Sequence, residues 1–324
     1  MKKWWLMIGL LVMFWPSHLV HAEGAGFTVT PQMTASQIGG NLGWFNLLVK
    51  PGVQEKLPVV VANQSDQTKT VHLQLTNAYT QRNGQIGYDP NTQKRINAQT
   101  SLTAVGSKPV TVELAPKTGK TVTFTVTPPE FSGEVLGAIY AQDQTPAAKS
   151  SASGFAITNQ FAMVVAVVMQ TSETKVAPQL TLNSVSAEAK QIIAHVQNPK
   201  PTLFGKITFK STVSLDGKTV LTQTDKNYAM APNSDFAYQL TPKTTLQPGQ
   251  YQLVIDATAG KTKWHLTESF TITKPVTPAP TSTSKTAAKP NYTWLFGLAI
   301  VLAMVIGIFI GKKTRRWQPC LNGG

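Results

Sequence analysis

Cysteine is nearly absent from this chain of 324 residues, whose one cysteine, Cys320, lies close to its end. No intrachain disulfide can form, so each domain must be stabilised by its own hydrophobic core. A disulfide-rich animal receptor is therefore disfavoured. The composition suits a bacterial exported protein of a type that avoids cysteine.

Motifs that carry catalytic chemistry are missing as well. His72, His195 and His265 each stand alone in or near a predicted strand, and no histidine pair has the spacing of metal ligands. No phosphate-binding loop, dinucleotide fingerprint or Gly-x-Ser-x-Gly elbow occurs. We therefore predict no catalytic residue, metal site or cofactor, and a binding protein rather than an enzyme.

One carboxylate pair leaves an enzymatic alternative open. The 15 acidic residues are dispersed, but Glu130 and Glu134 lie close in sequence and could act as a glycosidase pair on wall polymers. Ser132-Gly133 between them predicts a turn, which favours a solvated pair. A carboxylate-based wall hydrolase is therefore the weaker hypothesis.

Negative charge is scarce, and the net charge is +14. Without the six lysines and arginines of the two chain ends, 23 cations face 15 anions, which leaves +8. These cations are scattered, which favours an ordinary soluble surface over a site for anionic wall polymers. The lack of a basic cluster with interleaved aromatics argues against nucleic acid as a partner.

The first 22 residues have the pattern of a signal peptide. Lys2 and Lys3 precede an apolar run from Trp4 to Trp15, and Val20-His21-Ala22 is a plausible cleavage site. We predict a signal peptide over 1–22 and therefore an exported mature chain.

The C-terminal end predicts a membrane anchor. Trp294 to Ile310 is an uncharged run of 17 residues, about 25 Å long as a helix, within a predicted transmembrane helix over 292–311. The basic tail, 312–324, should lie in the cytoplasm by the positive-inside rule. Residues 275–291, rich in Pro, Thr, Ser and Lys, are predicted to form an extended tether. The expected protein is single-pass, with its ectodomain outside the cell membrane, within the cell wall.

The ectodomain sequence is typical of β structure. Val71, Leu73 and Leu75 alternate with polar residues, the period-2 pattern of a half-buried strand. Asn83-Gly84 and Asp216-Gly217 predict hairpins, because both central positions of a type I′ turn need positive φ. We predict an all-β fold of two tandem Ig-like β-sandwich domains, over 23–158 and 159–274.

Two features of the predicted domains concern their boundary and their surface. The most apolar run, Phe161 to Val168, reads as a strand buried on both faces that could seal either domain. Most aromatics are expected in the cores, but Tyr79 and Tyr88 flank the Asn83-Gly84 hairpin and are the best candidates for exposure. The predicted partner-binding residues are Tyr79, Arg82, Asn83 and Tyr88.

Several short motifs follow one another in a characteristic order. In the first domain they are Phe27–Pro31, Trp44–Leu47, Lys50–Gly52, Val59–Asn63, Ala78–Thr80 with Asn83-Gly84 and Tyr88, and Gly133–Gly137. In the second domain they are Ala231–Ser234, Gly249–Tyr251 and Trp264–Ile272. The order of these motifs, over nearly the whole chain, resembles the WxL-interacting proteins.

This resemblance implies a Gram-positive cell-wall protein with a peptidoglycan-binding domain followed by a host- or matrix-binding domain. The implied partners are peptidoglycan, WxL-domain surface proteins and host extracellular-matrix proteins. We expect a non-catalytic, membrane-anchored adaptor. A chaperone-like sandwich that lends a strand edge to an exported client is the alternative from a different class.

Overall fold

The computed structural model describes residues 25–90, 95–146, 160–188 and 190–272, and nearly all of its regular structure is β. The prediction of an all-β fold is therefore confirmed. The elements are β1 (Phe27–Pro31), β2 (Phe45–Leu48), β3 (Glu55–Asn63), β4 (Lys69–Asn77), β5 (Tyr79–Thr80), β6 (Ile86–Gly87), α1 (Leu102–Val105), β7 (Val110–Leu114), β8 (Gly119–Val126), β9 (Glu134–Asp143), β10 (Ala162–Gln170), β11 (Thr181–Glu188), β12 (Gln191–Asn198), β13 (Phe204–Leu215), β14 (Lys218–Met230), β15 (Ser234–Leu240), β16 (Gly249–Ala259) and β17 (Thr262–Ile272).

The first sandwich consists of two sheets around one core. One sheet has the order β1-β3-β8 and the other β2-β10-β9-β4-β7. Alternate residues of each strand point into the space between them, as in β3, where Leu57, Val59 and Val61 are buried. Period-2 alternation therefore produces the core that the sequence pattern predicted.

Strand β10 belongs to the first sandwich. It pairs antiparallel with β9 over its whole length, Ala162 to Gln170, and parallel with the short β2 through Val167 to Gln170. The sequence left open which domain this strand seals, with 158/159 as the predicted boundary, and the sheet pairing places the strand with β9 of the first sandwich. The run is apolar because its inner face lines the core while part of its outer face lies under other residues.

The second sandwich has sheets of order β11-β12-β15 and β14-β13-β16-β17 around a separate core. Phe209, Tyr228, Phe236 and Tyr238 form an aromatic cluster there, with ring centroids 5.2 to 6.3 Å apart. The turn between β13 and β14 has positive φ at Asp216 (47°) and Gly217 (79°), so the type I′ hairpin predicted there is confirmed.

A third apolar cluster lies between the two sandwiches. It contains Ala78, Leu136 and Val168 of the first sandwich together with Ala231 of the second, and Trp44, Ile86 and Tyr88 pack against it. The outer face of the β9–β10 region is thus partly covered. This contact holds the two sandwiches together without a disulfide.

The predicted signal peptide, tether, transmembrane helix and tail lie outside the described residues. Within the residues that are described, no helix has the length and apolarity needed to cross a membrane.

Candidate ligand-binding cleft

A small hairpin, formed by β5 and β6 and spanning Tyr79 to Gly87, projects from the first sandwich. The Gly84 N–H donates to the Gln81 carbonyl (2.9 Å) and the Gln81 N–H to the Gln85 carbonyl (2.8 Å). Gly84 has φ +75°, whereas Asn83 has no positive φ. The loop is therefore a three-residue turn with glycine in the left-handed position, and the two-residue type I′ turn expected here is wrong.

The hairpin docks on the second sandwich through its backbone. The Ala229 N–H donates to the Gly84 carbonyl at 2.8 Å. A Cβ added at Gly84 would lie 2.0 Å from the ring of Tyr228, so no other residue fits there without movement. Glycine is needed at this position for its φ and for this close approach.

Buried hydroxyls and amides extend the docking contact. The Oγ1 of Thr80 accepts the N–H of Ala231 at 3.0 Å and lies 2.9 Å from the Oγ of Ser234. The Nδ2 of Asn233 donates to the Ile96 carbonyl at 2.7 Å, and the Ile96 N–H donates back to the Asn233 carbonyl at 2.9 Å. Satisfied polar groups in a buried contact fix its geometry.

Arg95 ties the two sandwiches together as a cation. Its two terminal nitrogens donate to the Ala78 carbonyl at 2.7 Å and to the Pro232 carbonyl at 2.9 Å, one in each sandwich. Burial lowers the pKa of its guanidinium, but such a group starts from so high a value that it stays charged. Arg95 therefore acts as a fixed double donor.

Beside the docked hairpin lies a cleft of about 570 Å³, which we call the junction cleft. One wall of the cleft is the hairpin, and the other wall is formed by β12 and β15 of the second sandwich. Its lining residues are Tyr79, Thr80, Gln81, Arg82, Asn83, His195, Asp235, Phe236 and Ala237. Its volume is in the range of small-ligand sites.

The cleft carries both signs of charge. Arg82 is exposed, and the Nδ1 of His195 lies 3.6 Å from a carboxylate oxygen of Asp235. The Tyr79 hydroxyl donates to Asp89; burial, with the Asp89 hydrogen bond, raises the pKa of Tyr79 to about 12. Tyr79 is thus a neutral phenol at physiological pH. The cleft can hydrogen-bond and ion-pair a polar ligand.

Three of the four predicted binding residues, Tyr79, Arg82 and Asn83, line this cleft. Tyr88 lies apart from them, in the cluster between the sandwiches, where burial raises the pKa of its hydroxyl. Tyr79 and Tyr88 are both half-buried, because the hairpin packs on the second sandwich instead of projecting into solvent. Sequence reasoning missed His195 and Asp235, since no local pattern links them to the hairpin.

The two carboxylates of the predicted pair lie in different surroundings. The Glu134 carboxylate accepts the N–H of Leu203 at 2.7 Å, and the Glu134 N–H donates to the Pro201 carbonyl at 2.7 Å. Glu130 is exposed. Glu134 therefore joins the two sandwiches, and one of its carboxylate oxygens is engaged by the Leu203 N–H.

The two other described histidines, His72 and His265, each hydrogen-bond a neighbouring side chain. His72 hydrogen-bonds Thr111 at 3.0 Å, and His265 hydrogen-bonds Asp256 at 2.7 Å. In the part of the chain that the structure describes, no three His, Cys, Asp or Glu residues come together in a group that could hold a metal ion.

Three solved structures show a weak likeness to this chain. The E. coli chaperone DraB is 15% identical, covers 69% of this chain and 94% of its own, and has a TM-score of 0.29. The Salmonella enterica SafA pilin in complex with the SafB chaperone is 11% identical, with 69% and 98% coverage and a TM-score of 0.29. The Pseudomonas aeruginosa CupB2 chaperone is 11% identical, with 67% and 92% coverage and a TM-score of 0.27. At these scores the likeness supports no conclusion about function.

No curated protein matches the chain, but two family models do. The peptidoglycan binding domain of the WxL Interacting Protein matches residues 27–143, and its host binding domain matches residues 152–278. The hairpin falls in the first match, and His195 and Asp235 fall in the second. The chain belongs to the WxL-interacting protein family, with a peptidoglycan binding domain followed by a host binding domain.

Proposed function

We propose that this protein is a non-catalytic adaptor of the cell surface that binds peptidoglycan in the junction cleft and holds a WxL-domain surface protein. Host-matrix proteins are the further partners of the second domain. The observation that carries the proposal is the shared construction of the cleft. Its hairpin wall comes from the peptidoglycan binding domain, and His195 and Asp235 come from the host binding domain.

The cleft chemistry supports a wall-polymer ligand. Peptidoglycan offers carboxylates and amides on its peptide stems and hydroxyls and acetamides on its sugars. Arg82 suits a carboxylate, Asp235 suits an amino group or N–H, and Asn83 and Gln81 suit amides and hydroxyls. A hydrogen bond that involves a charged group contributes about 1.5–3 kcal/mol, so a few such contacts give useful affinity.

Anchoring completes the proposed role. A signal peptide over 1–22 exports the chain, and a span over 292–311 with a basic cytoplasmic tail over 312–324 retains it at the membrane. The tether over 275–291 reaches about 50 Å at most, at the polyproline II rise. Both sandwiches, which we take as Ig-like, then work in the wall layer nearest the membrane.

Sedimentation with purified peptidoglycan tests the proposal. The full-length chain, purified in mild detergent, is incubated with the insoluble polymer at physiological salt, and the bound fraction is measured. Retention is expected, with Arg82→Ala and Asp235→Asn each weakening it about tenfold, since a lost charged hydrogen bond exceeds 1.4 kcal/mol.

A matched control is available in the same sandwich. Asp256→Asn removes a carboxylate that contacts His265 in the way that Asp235 approaches His195, but outside the cleft. Its retention should equal that of the wild type. No retention of the wild-type chain, or equal losses in Asp235→Asn and Asp256→Asn, would contradict the proposal. Released soluble fragments that disappear in Glu130→Gln would establish the hydrolase alternative.

A further inference from the structure

One stretch of sheet edge in the first sandwich has a partner on one side only. Strand β2 pairs with β10 through Val167 to Gln170 and stops there, whereas β9 pairs with all of β10. Residues Ala162 to Ala166 therefore pair with β9 on one side and with no described strand on the other, where β1 of the facing sheet lies near β10 without pairing to it. We call this stretch the open edge.

The backbone of the open edge points its hydrogen-bonding groups outward. The Asp143 N–H donates to the Phe161 carbonyl at 3.0 Å, so Phe161 bonds toward β9. In an antiparallel pair these directions alternate, so Met163 and Val165 also bond toward β9, whereas Ala162 and Val164 point away from it. Among the described residues, nothing pairs with Ala162 or Val164 on that side.

The open edge is also apolar and exposed. Val164 is 44% exposed and Phe161 37% exposed, in the most apolar run of the described sequence. A free edge with exposed apolar residues is an aggregation hazard that proteins usually blunt with charge, proline or a bulge. None of these devices occurs from Phe161 to Ala166. An edge left in this state is a surface for strand addition.

An apolar groove of about 470 Å³ runs beside the open edge. It is lined by Gly43, Trp44, Tyr88, Leu136, Val164, Ala166, Val168 and Leu203, without a charged residue. Side chains on one face of an added strand would stand next to Val164 and Ala166 and enter this groove. The backbone selects an extended segment, and the groove selects apolar residues at alternate positions.

We propose that the open edge captures an extended, alternately apolar segment of a protein partner, which adds to the sheet in line with β2. The occupant is the WxL-domain surface protein of the proposed adaptor role, on which this inference rests. Main-chain hydrogen bonds to Ala162 and Val164 supply affinity, and the groove supplies selectivity. Peptidoglycan in the junction cleft and a protein strand at the open edge occupy separate surfaces.

Substitutions at Val164 test the proposal directly. Val164→Pro removes an outward N–H and leaves the β9 ladder intact, and Val164→Lys places a charge on the exposed edge. The full-length chain in detergent is titrated with a purified WxL-domain surface protein. Both variants should raise Kd at least tenfold, and Val164→Thr, which keeps the backbone and the branched shape, should raise it less.

Val220→Lys is the matched control, because Val220 is 45% exposed on a strand of the second sandwich, away from the groove. Its Kd for the WxL-domain protein should be unchanged. Equal Kd values for wild type, Val164→Lys and Val164→Pro would overturn the proposal. The proposal would also be overturned if the wild type were a dimer, Val164→Lys were a monomer, and both bound the WxL-domain protein with the same Kd. The occupant of the open edge would then be a second copy of this chain.

Hydrogen exchange gives a readout that does not depend on a variant folding. In the free chain, the Val164 amide should exchange fast and the Val165 amide slowly, and the partner should slow Val164 at least tenfold. A Val164 amide already protected in the free chain overturns the proposal.

Peptidoglycan retention distinguishes failure of the strand-capture proposal from failure of the adaptor role. Val164→Lys should retain peptidoglycan, whereas loss of retention by the wild type contradicts the adaptor role itself. If the wild type retains peptidoglycan but does not bind the WxL-domain protein, only the strand-capture proposal is contradicted.

Discussion

Thr80 and Ser234 are 154 positions apart in the chain, yet their hydroxyl oxygens lie 2.9 Å apart in the buried contact between the two sandwiches. Thr80 is also the acceptor for the Ala231 N–H at 3.0 Å. This contact positions the hairpin, and the hairpin forms one wall of the junction cleft. Stability of the contact and ligand binding in the cleft are therefore linked, and both can be measured.

Removal of the Thr80 hydroxyl should destabilise the protein. Thr80→Val keeps the shape of the side chain but leaves the buried Ala231 N–H without its acceptor, which costs about 1–3 kcal/mol. Urea denaturation should show this loss. Thr121→Val, at an exposed position of β8, should change the free energy of unfolding by less than about 0.5 kcal/mol. Equal stability of the two variants would contradict the role of Thr80.

A side chain at Gly84 should undock the hairpin. Gly84→Ala places a side chain on a residue with a left-handed φ of +75°, which lowers the free energy of unfolding by about 1–2 kcal/mol. The clash of the new Cβ with Tyr228 lowers it by about 1–3 kcal/mol more. Gly52→Ala is the control, since Gly52 has the same φ and nothing within 4 Å of the added Cβ. Denaturation midpoints should fall clearly further for Gly84→Ala. Similar midpoints would mean that the hairpin moves away from Tyr228 at little cost.

Loss of the docked hairpin should also weaken ligand binding. Because Gly84→Ala displaces one wall of the cleft, it should lower peptidoglycan retention severalfold even at temperatures where the protein stays folded. Gly52→Ala should retain peptidoglycan like the wild type. Near-ultraviolet circular dichroism sums the packing of all aromatic side chains, including Tyr228 and its neighbouring rings, and should change in Gly84→Ala but not in Gly52→Ala.

The ion pair between Lys69 and Asp143 should make stability depend on pH. Their charged atoms are 2.6 Å apart, and both side chains are largely buried. Burial pushes the pKa of Asp143 up, but hydrogen bonds from Lys69 and Thr145 and the Lys69 charge outweigh it, so the pKa is lowered. Because the pKa of Asp143 is lower in the folded state than in the unfolded state, the ion pair contributes its full stabilisation at pH values well above 3.8, the ordinary pKa of this carboxyl. That stabilisation is lost as the pH falls through the folded-state pKa.

Asp143→Asn should therefore be less stable than the wild type at pH 7, by about 1 kcal/mol after solvent screening, and equally stable at low pH. Urea denaturation across the acidic range measures the difference. Asp66→Asn is the control, because the Lys117–Asp66 pair is 3.0 Å apart but exposed, with little expected effect at any pH. A gap for Asp143→Asn that persists below the folded pKa would argue against the ion pair as its cause.

Several local patterns were sufficient to predict local structure. The alternation of Val71, Leu73 and Leu75 became the buried face of β4, and Asp216-Gly217 became a type I′ turn. The Asn83-Gly84 pair gave a hairpin at the expected place with a different turn. There the three-residue loop places Gly84 against Tyr228, with its carbonyl accepting the Ala229 N–H of the second sandwich.

The amino-acid sequence by itself determined the all-β class, the lack of disulfides and the family, because strand alternation, composition and motif order are properties of neighbouring residues. Tertiary structure alone decided that β10 belongs to the first sandwich, that Glu134 bonds to Leu203, and that His195 and Asp235 face the hairpin. Each of these depends on contacts between residues far apart in the chain. Such contacts form only when the strands assemble into sheets and the two sandwiches pack together, and no periodicity along the sequence encodes them.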